Sequence, residues 1–129
     1  MSKLDIESVV GISALLIHAA SIDEKYTEKE KSLVKNFIKS YLENDNVNKI
    51  LEKAEEVENN SNQLLNYTNI IKKNSIEIKK DIIEHLWKVI ISDNSIDQYE
   101  ANLMRRICGL IYFPDKECAE IKLKLINSQ

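Results

Sequence analysis

At 129 residues, with 43% hydrophobic and 30% charged positions, the chain has the balance of one globular domain able to bury about two-thirds of its unfolded surface. Two glycines and one proline leave too little turn punctuation for an all-β fold, and a net charge of −3 argues against a nonspecific nucleic-acid binder, which needs a basic surface. The longest apolar run, Val9 to Ala20, is shorter than the ~20 residues a membrane span takes and contains Gly11, Ser13 and His18.

Apolar residues recur at helical spacing almost everywhere, and the pattern predicts seven helices over roughly residues 4–20, 28–42, 46–58, 62–73, 76–92, 98–112 and 115–127. Before the first, Asp5 and Glu7 make Met1 to Ser8 a poor secretory leader, so the expected location is cytoplasmic. The first helix carries Val9, Val10, Ile12, Leu15, Leu16, Ile17, Ala19 and Ala20, apolar nearly all round, and Gly11 suits a close crossing with another helix. The second is striped by Leu33, Val34, Phe37, Ile38, Tyr41 and Leu42; the third by Ile50, Leu51, Ala54 and Val57, with Asn44 or Asp45 as its cap. Asn59 to Ser61 and Asn74–Ser75 bound the fourth. The fifth repeats the all-round apolar character through Ile82, Ile83, Leu86, Trp87, Val89, Ile90 and Ile91. The sixth is striped by Tyr99, Leu103, Met104, Ile107, Leu110 and Ile111, and Pro114 opens the seventh, where its missing N–H costs nothing. The first and fifth helices are expected at the centre with amphipathic helices outside. No linker or charge block divides the chain, which therefore reads as one domain.

One segment occurs twice, 70 positions apart: Asp23 to Glu30 and Asp93 to Glu100. Both run Asp, two polar residues, an apolar residue, a capping residue, then Glu three further on, between an apolar helix and an amphipathic one. The chain thus reads as two helix–acidic loop–helix units. Thr27 with Glu30 and Asp97 with Glu100 fit the capping box, in which the cap accepts from the third helical N–H and the Glu reaches back. Asp23 and Asp93 sit just past helix C-termini, where the dipole disfavours an anion by about 0.3–1 kcal/mol. An Asx turn, the N-terminus of the next helix or a cation would each hold them there. The loops are too short for an EF-hand and lack its glycine. A shared site in which Asp23, Glu30, Asp93, Asp97 and Glu100 offer oxygen ligands to Ca²⁺ or Mg²⁺ is the sharper expectation; helix capping is the plainer one.

The remaining chemistry is sparse. His18 and His85 lie on the two apolar helices and read as edge histidines holding a hydrogen bond, and two histidines make no zinc constellation. Cys108 and Cys118 form no CxxC pattern, and Cys108 reads as a small hydrophobe. Arg105, Arg106, Lys72, Lys73, Lys79 and Lys80 read as a solvated face rather than a phosphate site. There is neither a glycine-rich phosphate loop nor a nucleophile elbow.

Ala20 through Glu30 and Ser92 through Glu100 resemble the paired acidic loops of the TerB family of tellurite-resistance-associated proteins, in particular its small stand-alone branch. Leu64-Leu65-Asn66-Tyr67-Thr68, His85-Leu86-Trp87-Lys88-Val89 and Asn102-Leu103-Met104-Arg105-Arg106 with Leu110 and Ile111 also resemble family motifs, and the likeness runs over about residues 5 to 125. Glu24 and Asn94 stand where the family has Gly, which implies a reshaped first loop, since Glu accepts a left-handed backbone poorly. The resemblance implies a single all-α domain over residues 1–129 with loops suspected of binding metal. It also implies no established enzymatic activity and an accessory role in tellurite or stress response, through protein partners. A homodimer and peripheral membrane association are both compatible with this; the competing expectation is a small metal-dependent hydrolase using the acidic loops.

Overall fold

Asp5 starts the first helix: its carboxylate accepts the Ser8 N–H at 2.7 Å, filling one of the donors a helix N-terminus leaves unpaired. In the computed structural model of the chain, residues 4–21, 26–42, 46–60, 64–91 and 98–127 are described, with the side chains of 64 and 98–100 outside that description. Seven helices occupy them: α1 (Ile6–Ala20), α2 (Glu28–Tyr41), α3 (Val47–Asn60), α4 (Leu64–Lys72), α5 (Ile76–Ile91), α6 (Gln98–Leu110) and α7 (Asp115–Asn127). Among the described residues there is no strand, although the chain is rich in Ile; burial of a helical apolar face outweighs a modest local preference.

The two apolar helices do form the centre. α1 packs on α2, α3, α4 and α5, and α5 packs on α1, α2, α4 and α7. Val9, Ile12, Ala14, Leu15, Leu16 and Ala19 on α1, and Ile82, Ile83 and Leu86 on α5, are fully inaccessible. They merge with Val34, Phe37 and Ile38 of α2, Ala54 of α3, Ile71 of α4 and Ile107 of α6 in one core. α3 lies on α1 and α2, as α7 lies on α5 and α6. α1 and α2 touch directly, whereas the principal neighbours of α6 are α4 and α7.

Three local details differ from the sequence reading. Asn46 caps α3, its side-chain oxygen accepting the Lys49 N–H at 3.2 Å; positions 44 and 45 lie outside the described residues. Gly11 serves the approach of α4 rather than a crossing with α5, for a Cβ there would run into the Ile70 side chain. α6 ends at Leu110, two residues early, because Tyr112 adopts φ 60. Phe113 N–H then reaches back to Cys108 O at 2.8 Å and Tyr112 N–H to Gly109 O at 3.4 Å, a Schellman turn that aims the chain into Pro114 and α7.

Candidate functional site

The start of α2 is built as a reciprocal cap. Glu30 Oε1 accepts the Thr27 N–H at 2.7 Å and the Thr27 hydroxyl at 3.0 Å, while Thr27 Oγ1 receives the Glu30 N–H at 3.5 Å. Glu30 is buried, so the structure sets the one expected ligand it describes into helix capping. Asp23, Asp93 and Asp97, and the side chain of Glu100, lie outside the described residues.

Two further carboxylates, which the sequence did not single out, meet residues before and within the first acidic segment. Glu58 Oε2 lies 3.5 Å from His18 Nδ1, ahead of it, and Glu55 Oε2 accepts the Tyr26 hydroxyl at 3.0 Å, within it. Spaced three apart, both stand on one side of α3. Burial, then the Glu55 hydrogen bond and charge, push the Tyr26 phenol well above its ordinary range, so it stays a donor. Lys31 Nζ approaches Glu55 Oε2 at 3.7 Å and stands 5.7 Å from the Tyr26 ring centre. That pair is partly exposed and contributes little by itself.

A second polar group lies on the α2–α5 seam. Tyr41 donates to Asp81 Oδ2 at 2.5 Å, and His85 Nε2 is 3.6 Å from Asp81 Oδ1, close in charge but too long for a hydrogen bond. His85 also meets Phe37 edge-on, with 5.1 Å between ring centres. Burial lowers the His85 pKa below its ordinary 6.5 against the opposing pull of Asp81, and burial with the Asp81 bond raises that of Tyr41. Around neutral pH the phenol keeps its proton and the imidazole stays neutral, which fits a packed polar tie rather than a proton relay. The Asp81/His85 spacing of four was its only visible trace in the sequence.

The family model described as tellurite resistance protein TerB matches residues 10–123. The chain belongs to the TerB family. No curated protein and no solved structure matches it.

Within this TerB-family span lies a third group, which motif reading missed because its members sit on different helices. Cys108 on α6 and Cys118 on α7, both buried free thiols, are in hydrogen-bonding contact, Cys108 donating. Trp87 Nε1 of α5 also donates to Cys118 Sγ, at 3.3 Å. The Cys108 bond, and secondarily the Trp87 bond, bring the Cys118 thiol down to about 7; donation and burial push Cys108 up. Cys118 borders an open groove of about 420 Å³ that Trp87, Met104, Arg105, Asp115 and Lys122 also line. A second groove, of about 560 Å³, runs along the α5–α7 seam between Lys80, Glu84, Glu117, Glu120 and Lys124. Of the basic residues, Lys72 lies over the Tyr112 ring at 5.0 Å, and Arg105 and Arg106 are exposed.

Proposed function

We propose that this TerB-family protein is a non-enzymatic interaction module serving tellurite or related stress responses, and that a divalent cation, Ca²⁺ or Mg²⁺, tunes its binding to a protein partner through the acidic segments. The observation that supports this reading is the position of Glu55 and Glu58. They engage His18, near the end of α1, and Tyr26, within the Asp23 to Glu30 segment, so α3 brings two carboxylates to the described residues around that segment. Hard cations take several oxygen ligands, and the sequence concentrates such donors here. Glu30, bound into its cap, supplies rigidity to α2 rather than a ligand in this scheme.

The test is isothermal calorimetry with millimolar CaCl₂ or MgCl₂, together with thermal melts, on the wild-type chain and on Asp23→Asn, Asp93→Asn and the double variant Glu55→Gln/Glu58→Gln. Cation-dependent heat and stabilisation in the wild type, lost in Asp23→Asn and reduced in the double variant, are expected. No response in the wild type would end the cation part of the reading. A pull-down with and without the cation then tests the partner part. Divalent-cation-dependent hydrolysis of phosphoester substrates, lost in the same variants, would instead establish the hydrolase alternative.

A further inference from the structure

Two sulfur side chains, Met104 and Cys118, line one groove beside Trp87, and a third, Cys108, pairs with Cys118. Met104 and Cys108 are four residues apart on α6, and so stack on one face of that helix. The turn at 111–114 folds α7 back so that Cys118 meets Cys108. Met104 and Cys118 both line the same open groove, which supplies an approach from solvent, while Cys108 is fully buried. We propose that Met104, Cys108 and Cys118 form a binding site for a soft, monovalent, thiophilic metal ion of the Cu⁺ class.

The donor set decides the class of ion. Two thiolates and a thioether suit a soft ion such as Cu⁺. Structural zinc sites are closed by four ligands. Among the described residues no group of three or more His, Cys, Asp or Glu side chains is assembled to hold a metal, so the hard or borderline donors that zinc would need do not complete the set. Binding holds both cysteines as thiolates and releases the protons they still carry, leaving a complex of net charge −1. Lys122, whose ammonium stands 5.4 Å from the Trp87 ring centre at the rim of the same groove, is placed to offset that charge. The Trp87 N–H on Cys118 Sγ is the outer contact that a metal-bound thiolate ordinarily has. The turn adds rigidity, because the Phe113 N–H bonds to the carbonyl of Cys108 itself.

The experiment is an anaerobic titration of the full, reduced chain with Cu⁺ in competition with a colour-forming Cu⁺ chelator, followed also by proton release and by the fluorescence of Trp87, the single tryptophan. Expected are one Cu⁺ retained per chain, release of more than one but fewer than two protons near neutral pH because Cys118 is already partly ionised, and saturable quenching of Trp87. Cys108→Ser and Cys118→Ser should each weaken retention by at least about tenfold, the smallest loss expected when even an outer contact of a metal site is removed. Met104→Leu, a swap of similar volume that keeps the fold even if a serine variant does not, should weaken it measurably while circular dichroism stays unchanged. Failure of the wild type to hold Cu⁺ against the chelator would overturn the proposal. So would equal retention by all variants, oxidation to a Cys108–Cys118 disulfide with no metal kept, or a preference for Zn²⁺.

Discussion

Replacing Glu30 separates capping from cation binding, because the two roles predict different orders of damage. In Glu30→Ala the Thr27 N–H and hydroxyl lose the carboxylate oxygen they share, at 2.7 and 3.0 Å. Hydrogen bonds to a charged acceptor contribute about 1.5–3 kcal/mol each when their donors have no substitute. Thr27 is exposed, however, and water takes over part of the loss. The expected cost is therefore about 1–2 kcal/mol, near the upper range for a cap. Glu30→Gln keeps an amide oxygen at the same reach and loses only the carboxylate charge at the N-terminus of α2, about 0.3–1 kcal/mol. Equilibrium urea unfolding with EDTA present measures both, and at this chain length each kcal/mol moves Tm by about 4 °C. The ranking should be wild type, then Gln, then Ala, and unchanged in excess MgCl₂. If Gln and Ala were equally damaging, and only when the cation was present, Glu30 would be a ligand and the capping argument would be wrong.

Three other substitutions follow from single observations. Tyr112 is held at φ 60 in the turn after α6, so Tyr112→Gly should raise stability by about 0.5–1 kcal/mol after the exposed Lys72 contact is subtracted, and Tyr112→Val should lower it by about 1 kcal/mol; denaturant midpoints that move the same way in both would refute this. The Ser13 hydroxyl is fully buried with no hydrogen-bond partner among the described residues, and Ser13→Ala should stabilise by about 1 kcal/mol in the same assay, a loss being the contrary result. His85 has a folded pKa below its ordinary 6.5, so the unfolded chain takes up a proton that the folded one resists. Stability from this group is complete above that value and falls away as pH drops below 6.5 towards the folded pKa. Wild type should accordingly lose stability relative to His85→Leu between pH 7 and pH 5, and parallel curves would show that the imidazole is not buried neutral.

The sequence exposed those features that depend on one helix at a time. Helical period located all seven helices, because an apolar stripe repeating every three or four residues has no other economical use in a chain this short of glycine and proline. The Thr27–Glu30 cap was equally visible, being encoded by residues three apart. Features made between helices were not visible. Gly11 announced a close approach but not that Ile70 would make it. Cys108 and Cys118 meet only because Tyr112 accepts a left-handed turn, which a tyrosine does not advertise. Tyr41 read as part of an apolar stripe, yet its hydroxyl, at the far end of that side chain, ties α2 to Asp81. For the acidic segments, Glu30 is the member whose setting is described, and local spacing had already given its capping role.

The encasement of α1 by α2, α3, α4 and α5 bears on how the chain is made. The apolar α1 is synthesised well before α5, which begins only at residue 76. At about 5–20 residues per second, roughly 4–14 s pass before that partner has been synthesised. Until then Val9 to Ala20 lacks the cover that α5 gives it in the finished bundle. Holding factors that shield bare aliphatic surface would thus act on the α1 stretch, and their depletion should lower soluble yield more than any weakness of the finished bundle.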